Sequence, residues 1–142
     1  LGTRDEALAN YGGMDLVELS KALKKCENYV EKDVIARKIF GQINGASRFQ
    51  LIESASALSK LSEPELTWFL ERGLNLYRNK YRETVSDGAF TGSGDSLGAV
   101  RRTEHALDSL RNNVNIQLLI ESVWLQLREA DGRFNESDRV NG

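Results

Sequence analysis

The stretch Arg111-Asn112-Asn113-Val114-Asn115-Ile116-Gln117-Leu118-Leu119-Ile120-Glu121-Ser122-Val123-Trp124-Leu125-Gln126-Leu127 decides the fold. Asparagine side chains accept hydrogen bonds from the free N–H groups at a helix start, so Asn113 or Asn115 is a natural N-cap. From there Ile116, Leu119, Ile120, Val123 and Leu127 recur at steps of three and four, the spacing of one helix face. The polar entry marks where the helix begins, and the stripe demands a surface to pack on. None of these side chains is chemically reactive. The segment reads as packing or assembly, and Leu118, Trp124 and Leu125 are left over for a second contact.

The rest of the chain continues in the same style. A single proline in 142 residues, with many Leu, Ala, Glu, Lys and Arg, favours helix nearly everywhere. Thr3 can cap a short helix over 5–10, stopped by Gly12 and Gly13. Asp15 caps the next, with Leu16, Leu19, Leu23 and Cys26 on one face. A helical pattern from Glu31 carries Val34, Ile35, Ile39 and Ile43 to the turn signal Asn44-Gly45. Ser47 starts a helix with the stripe Leu51, Ile52, Ala55 and Leu58. Ser62-Glu63-Pro64-Glu65 holds both halves of a capping box, with Pro64 in the first turn where its missing N–H costs little. That helix runs through Leu66, Phe69, Leu70, Leu74, Tyr77 and Tyr81. Residues 86–98, with Gly88, Gly92, Gly94 and Gly98, read as a mobile Gly/Ser loop. A further helix carries Val100, Thr103, Leu107 and Leu110. The prediction is an all-α bundle of about five substantial helices plus a short first one. Residues 1–13 read as the remnant of an upstream domain, 14–130 as the helical domain and 131–142 as a frayed polar tail.

Bulk properties exclude several function classes. A net charge of −2 provides no chain-wide basic field for nucleic acid. Cys26 is the only cysteine, so neither an internal disulfide nor a thiolate metal cluster can form, which fits a reducing cytoplasm. No apolar run is long enough to cross a membrane. The start at Leu1 suggests a piece cut from a longer protein. His105, the single histidine, has no second His or Cys to work with. It reads as a surface or packing residue, with a small enzyme or regulatory site built on it and nearby carboxylates as the rival. Cys26 reads as a small buried hydrophobe. Gly92-Ser93-Gly94 lacks the preceding strand of a nucleotide-binding turn. No catalytic residue, metal site or cofactor is assigned.

Two patterns remain to be weighed. Arg72, Arg78, Lys80 and Arg82 surround Tyr77 and Tyr81, and Arg101-Arg102 opens the following helix. Basic residues interleaved with aromatics can contact nucleic acid, although charges at a helix end are more often solvated. Trp68 and Trp124 each stand at the shoulder of an apolar stripe, where a wide stripe can serve both a core and a partner subunit, and where a Trp equally often just covers its own core.

The helix Leu66-Thr67-Trp68-Phe69-Leu70-Glu71-Arg72-Gly73-Leu74-Asn75-Leu76-Tyr77-Arg78-Asn79-Lys80-Tyr81, followed by a variable loop and then the Asn phrase with its helix, resembles the C-terminal collar domain of bacterial clamp-loader subunits. The delta-prime subunit of DNA polymerase III is the nearest candidate, with gamma/tau next. The start Gly2-Thr3-Arg4-Asp5-Glu6-Ala7-Leu8 resembles the end of an AAA+ lid, which would make Arg4 the sensor-2-like position. The resemblance covers 50–128 and, more loosely, 1–20. It implies a non-catalytic collar that packs beside related subunits in a hetero-oligomeric ring during DNA replication. The sliding clamp and DNA would be reached only through upstream domains. Trp68, Tyr77, Leu118, Trp124 and Leu125 are the expected subunit contacts. The alternative is a helical nucleic-acid-binding or general protein-interaction domain using Arg72, Arg78, Lys80, Arg82, Arg101 and Arg102.

Overall fold

Capping chemistry sets the element boundaries. The computed structural model describes residues 4–86, 96–112 and 114–141, with the side chains of Arg4, Ala7, Ser86 and 129–141 outside the description. Seven helices fill it: α1 Arg4–Tyr11, α2 Leu16–Lys25, α3 Tyr29–Gln42, α4 Arg48–Leu58, α5 Glu63–Ser86, α6 Ser96–Leu110 and α7 Ile116–Asn141. No strand occurs among the described residues, and the fold is all-α. Each of the seven matches one segment read from the sequence, so the expected total of about five plus one is one helix short of its own segments.

Asp15 caps α2 by accepting from Glu18 N–H at 2.8 Å, and Glu18 reaches back to Asp15 N–H to complete a capping box. Asn28 caps α3 by accepting from Val30 and Glu31 N–H, so that helix starts at Tyr29 and not at Glu31. Ser47 and Gln50 form a second box at the head of α4. Asn115 accepts from Leu118 N–H at 3.1 Å and caps α7, whereas Asn113 lies outside the described residues. The segment expected as a loop is shorter than predicted, because Ser86 ends α5 and Ser96-Leu97-Gly98 already belong to α6. The remainder of that expectation, 87–95, lies outside the described residues, as do Gly2 and Thr3. The backbone of α7 continues helical through the charged stretch to Asn141.

At α5 the box foreseen in the sequence is present. Ser62 Oγ accepts from Glu65 N–H at 3.3 Å, while Glu65 Oε1 accepts from Ser62 Oγ at 2.8 Å and from Ser62 N–H at 3.3 Å. Those donors, the hydroxyl first and the backbone N–H second, hold the Glu65 carboxyl below its ordinary value. A depressed carboxyl stabilises the fold above its unfolded pKa and loses that contribution as pH falls through its folded pKa. Ser62→Ala is therefore expected to cost about 0.5–2 kcal/mol near neutral pH. The cost shrinks in acid, and the Glu65 carboxyl moves up toward its ordinary value. Urea midpoints at neutral and acidic pH, with an NMR titration of Glu65, check this. A penalty that does not change with pH would show that the carboxylate contributes nothing to the cap.

The bundle packs α5 along α6, α2 against α3 and α4, and α7 against α4 and α6. Its centre is aromatic. The Phe40 ring of α3 stacks on Phe69 of α5 at 4.8 Å, and Trp124 of α7 meets both rings edge-on at 5.3 and 5.9 Å. Tyr77 closes the cluster against Phe40 at 6.0 Å. Beside the rings runs a buried polar chain. Ser20 Oγ donates to the Leu16 carbonyl at 2.8 Å, which uses its only proton. Its 2.7 Å contact with Ser54 Oγ is then donated by Ser54, whose oxygen accepts from Trp124 Nε1 at 3.1 Å. Three helices are joined by one directional chain with every proton used.

Some stripe assignments shift. Ser54, not Ile52, completes the inner face of α4, and Ile52 is exposed. Tyr81 is exposed as well, and Leu107 is only half-buried while Ala106 is buried. Cys26 ends α2, half-buried, its Sγ 3.4 Å from both the Asn28 carbonyl and Glu31 Oε2. Burial pushes its thiol up, in keeping with an unreactive cysteine.

Candidate functional site

The residues expected at a subunit contact divide into two groups. Trp124 is fully buried (0% exposed) and belongs to the inner stripe of α7 with Ile120, Val123 and Leu127. Its N–H is consumed by Ser54, so it is a core residue and not a contact left over for a partner. Tyr77 is likewise buried against Phe40. The physical reason is common to both: the aromatic centre needs their area, and a stripe read from periodicity alone looks the same whether its shoulder faces in or out. Leu118 goes the other way, at 62% exposed. Leu125 lies two turns further along the same side of α7, half-buried.

Trp68 is half-buried at the edge of a small cleft of about 130 Å³ that it lines with Tyr29, Lys32, Leu61 and Pro64. The Tyr29 ring meets it edge-on at 6.3 Å, and the Arg72 guanidinium lies 5.9 Å from its ring centre. The cleft admits one side chain of a partner and nothing of cofactor size.

The six basic candidates on α5 and α6 do not all share one side, although Arg78 and Arg82, four residues apart, lie on the same side of α5. At about 100° per residue, Lys80 and Arg78 point roughly 160° apart around α5. Arg78 is engaged with Glu104 of α6 at 3.3 Å, Lys80 lies 5.8 Å from the Tyr77 ring centre, and Arg72 buries its Nε behind Trp68. Arg82 and Arg101 are exposed, and Arg102 is half-buried. Arg72 and Lys80 therefore lie away from Arg78 and Arg82, and Glu104 stands beside Arg78. Arg4 opens α1, but its side chain is outside the description.

A tighter basic cluster sits elsewhere. Lys21, Lys24 and Lys25 of α2 and Lys60 after α4 line an open groove of about 400 Å³ between those helices, with Glu53 and Ser56 on its α4 wall. A second depression shares Lys21 and Glu53 and extends to Phe49, whose ring is 69% exposed. Sequence reading passed over this cluster. The available signal was lysine at positions i, i+3 and i+4, which places three like charges within about 100° of one another on a helix. Lys60 comes from a different element, and only the α2–α4 packing brings it there.

His105 is exposed on α6, whose inner face is Ala99, Val100, Thr103, Ala106 and Leu110. It lacks the enclosure a general acid or base requires. Among the described residues no group of His, Cys, Asp and Glu side chains has the arrangement of a metal site, and no helix is long and apolar enough to cross a membrane. Compared with known proteins, the chain matches no protein-family model, no curated protein and no solved structure.

Proposed function

We propose that this chain is a non-catalytic helical assembly domain, the collar of a DNA polymerase III clamp-loader subunit of the delta-prime kind. Its role is to hold that subunit in the cytoplasmic ring that loads the sliding clamp onto primed DNA. The observation that carries the reading is Leu118, a large apolar side chain held 62% exposed one turn inside a firmly capped helix. Further support comes from the two segments that bear the resemblance. They touch in the core through the Phe69 and Trp124 rings, 5.9 Å between centres. Leu118 and the outer side of Leu125 stay free for a neighbouring subunit, with Trp68 as a second anchor.

Sedimentation of this chain with a gamma/tau collar tests the proposal. A heavier complex is expected, and Leu118→Glu is expected to weaken it by about thirtyfold, the equivalent of one interface hot spot. Because Leu118 is outside the core, the thermal midpoint of the variant should change little. Separate sedimentation of the two wild-type proteins would overturn the reading, as would equal binding by Leu118→Glu.

A further inference from the structure

We propose that the α2–α4 groove is a binding site for a single strand of nucleic acid, held by its phosphates on Lys21, Lys24, Lys25 and Lys60, with a base against Phe49. The inference is independent of the collar reading, and it concerns a different face from the α5–α6 arginines. Four lysines line one groove in a chain whose overall charge is −2. None of the four is in an ion pair among the described residues. Like charges gathered this way repel, and an anion laid along the groove relieves that repulsion.

The aromatic ring beside the groove narrows the anion, because lysine binds phosphate and carboxylate alike as a point charge and no arginine lines the groove. The groove is open, so a chain can pass along it. In the adjoining depression, which shares Lys21 and Glu53 with the groove, the exposed Phe49 ring offers the flat apolar face on which a base stacks. Lysines tracking a backbone beside an aromatic platform form the pattern of sequence-tolerant single-strand binding. Glu53 on the groove wall and Asp15 in the Phe49 depression both oppose the phosphates, which sets the sign of the Glu53 variant.

The test is fluorescence anisotropy with a labelled oligothymidylate of about 20 nucleotides, a length that exceeds single-site footprints. Saturable binding is expected, with log K falling against log salt at a slope of about −3, four phosphates at about −0.7 each. The variant carrying Lys21→Gln, Lys24→Gln, Lys25→Gln and Lys60→Gln should bind at least ~tenfold more weakly and lose most of that slope. Glu53→Gln should tighten binding, and Phe49→Ala should weaken it without changing the slope. Substitution of Arg78, Arg82 and Arg101 by Gln should leave it unchanged. All these positions are exposed or half-exposed, and helix content by circular dichroism confirms that the variants fold. Three results would overturn the site: no binding, equal binding by the four-lysine variant, or displacement of the oligonucleotide by polyglutamate at matched charge. The last would make the groove a dock for an acidic protein.

Discussion

Trp124→Ala is expected to cost about 3–5 kcal/mol, the range for deleting a large buried aromatic. That is a large part of the total stability of a domain this size, about 5–15 kcal/mol. Two losses combine. The indole leaves a cavity against Phe40 and Phe69, which stack on each other and cannot both move in to fill it. Its Nε1 proton also disappears from Ser54, ending the polar chain that ties α7 to α4 and α2. Trp124→Phe keeps one six-membered ring in the cluster but removes the donor and the rest of the indole, so its cost should fall between those of the two losses, at about 1–3 kcal/mol, with part from the unmet Ser54 lone pair. Urea denaturation followed by far-ultraviolet circular dichroism reads both. If Trp124→Ala shifted the midpoint no more than Leu118→Ala does, Trp124 would not be the centre of this core, and its place at a subunit contact would be open again.

The contrast between Trp124 and Leu118 shows how far sequence reading reaches. Helix starts were legible because capping is local: Asp15, Ser47, Ser62 and Asn115 each act on N–H groups within three residues of themselves. The inner stripes were legible for the same reason, since periodicity over one helix needs no knowledge of its neighbours. What periodicity cannot supply is the width of the buried face. Trp124 stands on a stripe shoulder and Tyr77 late in the α5 stripe, and whether such a position faces a core or a partner depends on the crossing of α3, α5 and α7. Ser20 and Ser54 were invisible for a sharper reason. Small polar residues on an apolar face read as interruptions until packing brings their hydroxyls within 2.7 Å. The candidate surfaces divide along the same line. Leu118 could be singled out from one helix, but Lys60 joins Lys21, Lys24 and Lys25 only across two.

Gly73 gives the second large effect, and its sign runs against propensity. Glycine inside a helix costs roughly 1 kcal/mol relative to alanine, so Gly73→Ala in the middle of α5 should stabilise on local grounds. Here a Cβ would overlap the Phe40 ring. That ring cannot swing aside, because Phe69 stacks on it at 4.8 Å while Trp124 and Tyr77 hold it edge-on at 5.3 and 6.0 Å. To admit the methyl group, α3 and α5 must separate or the aromatic cluster must repack, and overpacking of this kind costs about 1–3 kcal/mol or more. The expected net result is a loss of up to about 2 kcal/mol after the propensity gain. Gly41, in α3, has nothing within 4 Å of its would-be Cβ, so Gly41→Ala should stabilise by about 0.5–1 kcal/mol. The same substitution in two helices of one bundle should therefore move the urea midpoint in opposite directions. A double-mutant cycle identifies the cause, since Phe40→Leu opens the space that the added methyl group needs. Combining it with Gly73→Ala should cost at least ~1 kcal/mol less than the two single changes added together. Simple additivity would mean that Gly73 is not the position where α5 makes room for Phe40, and the close approach of α3 to α5 would need another cause.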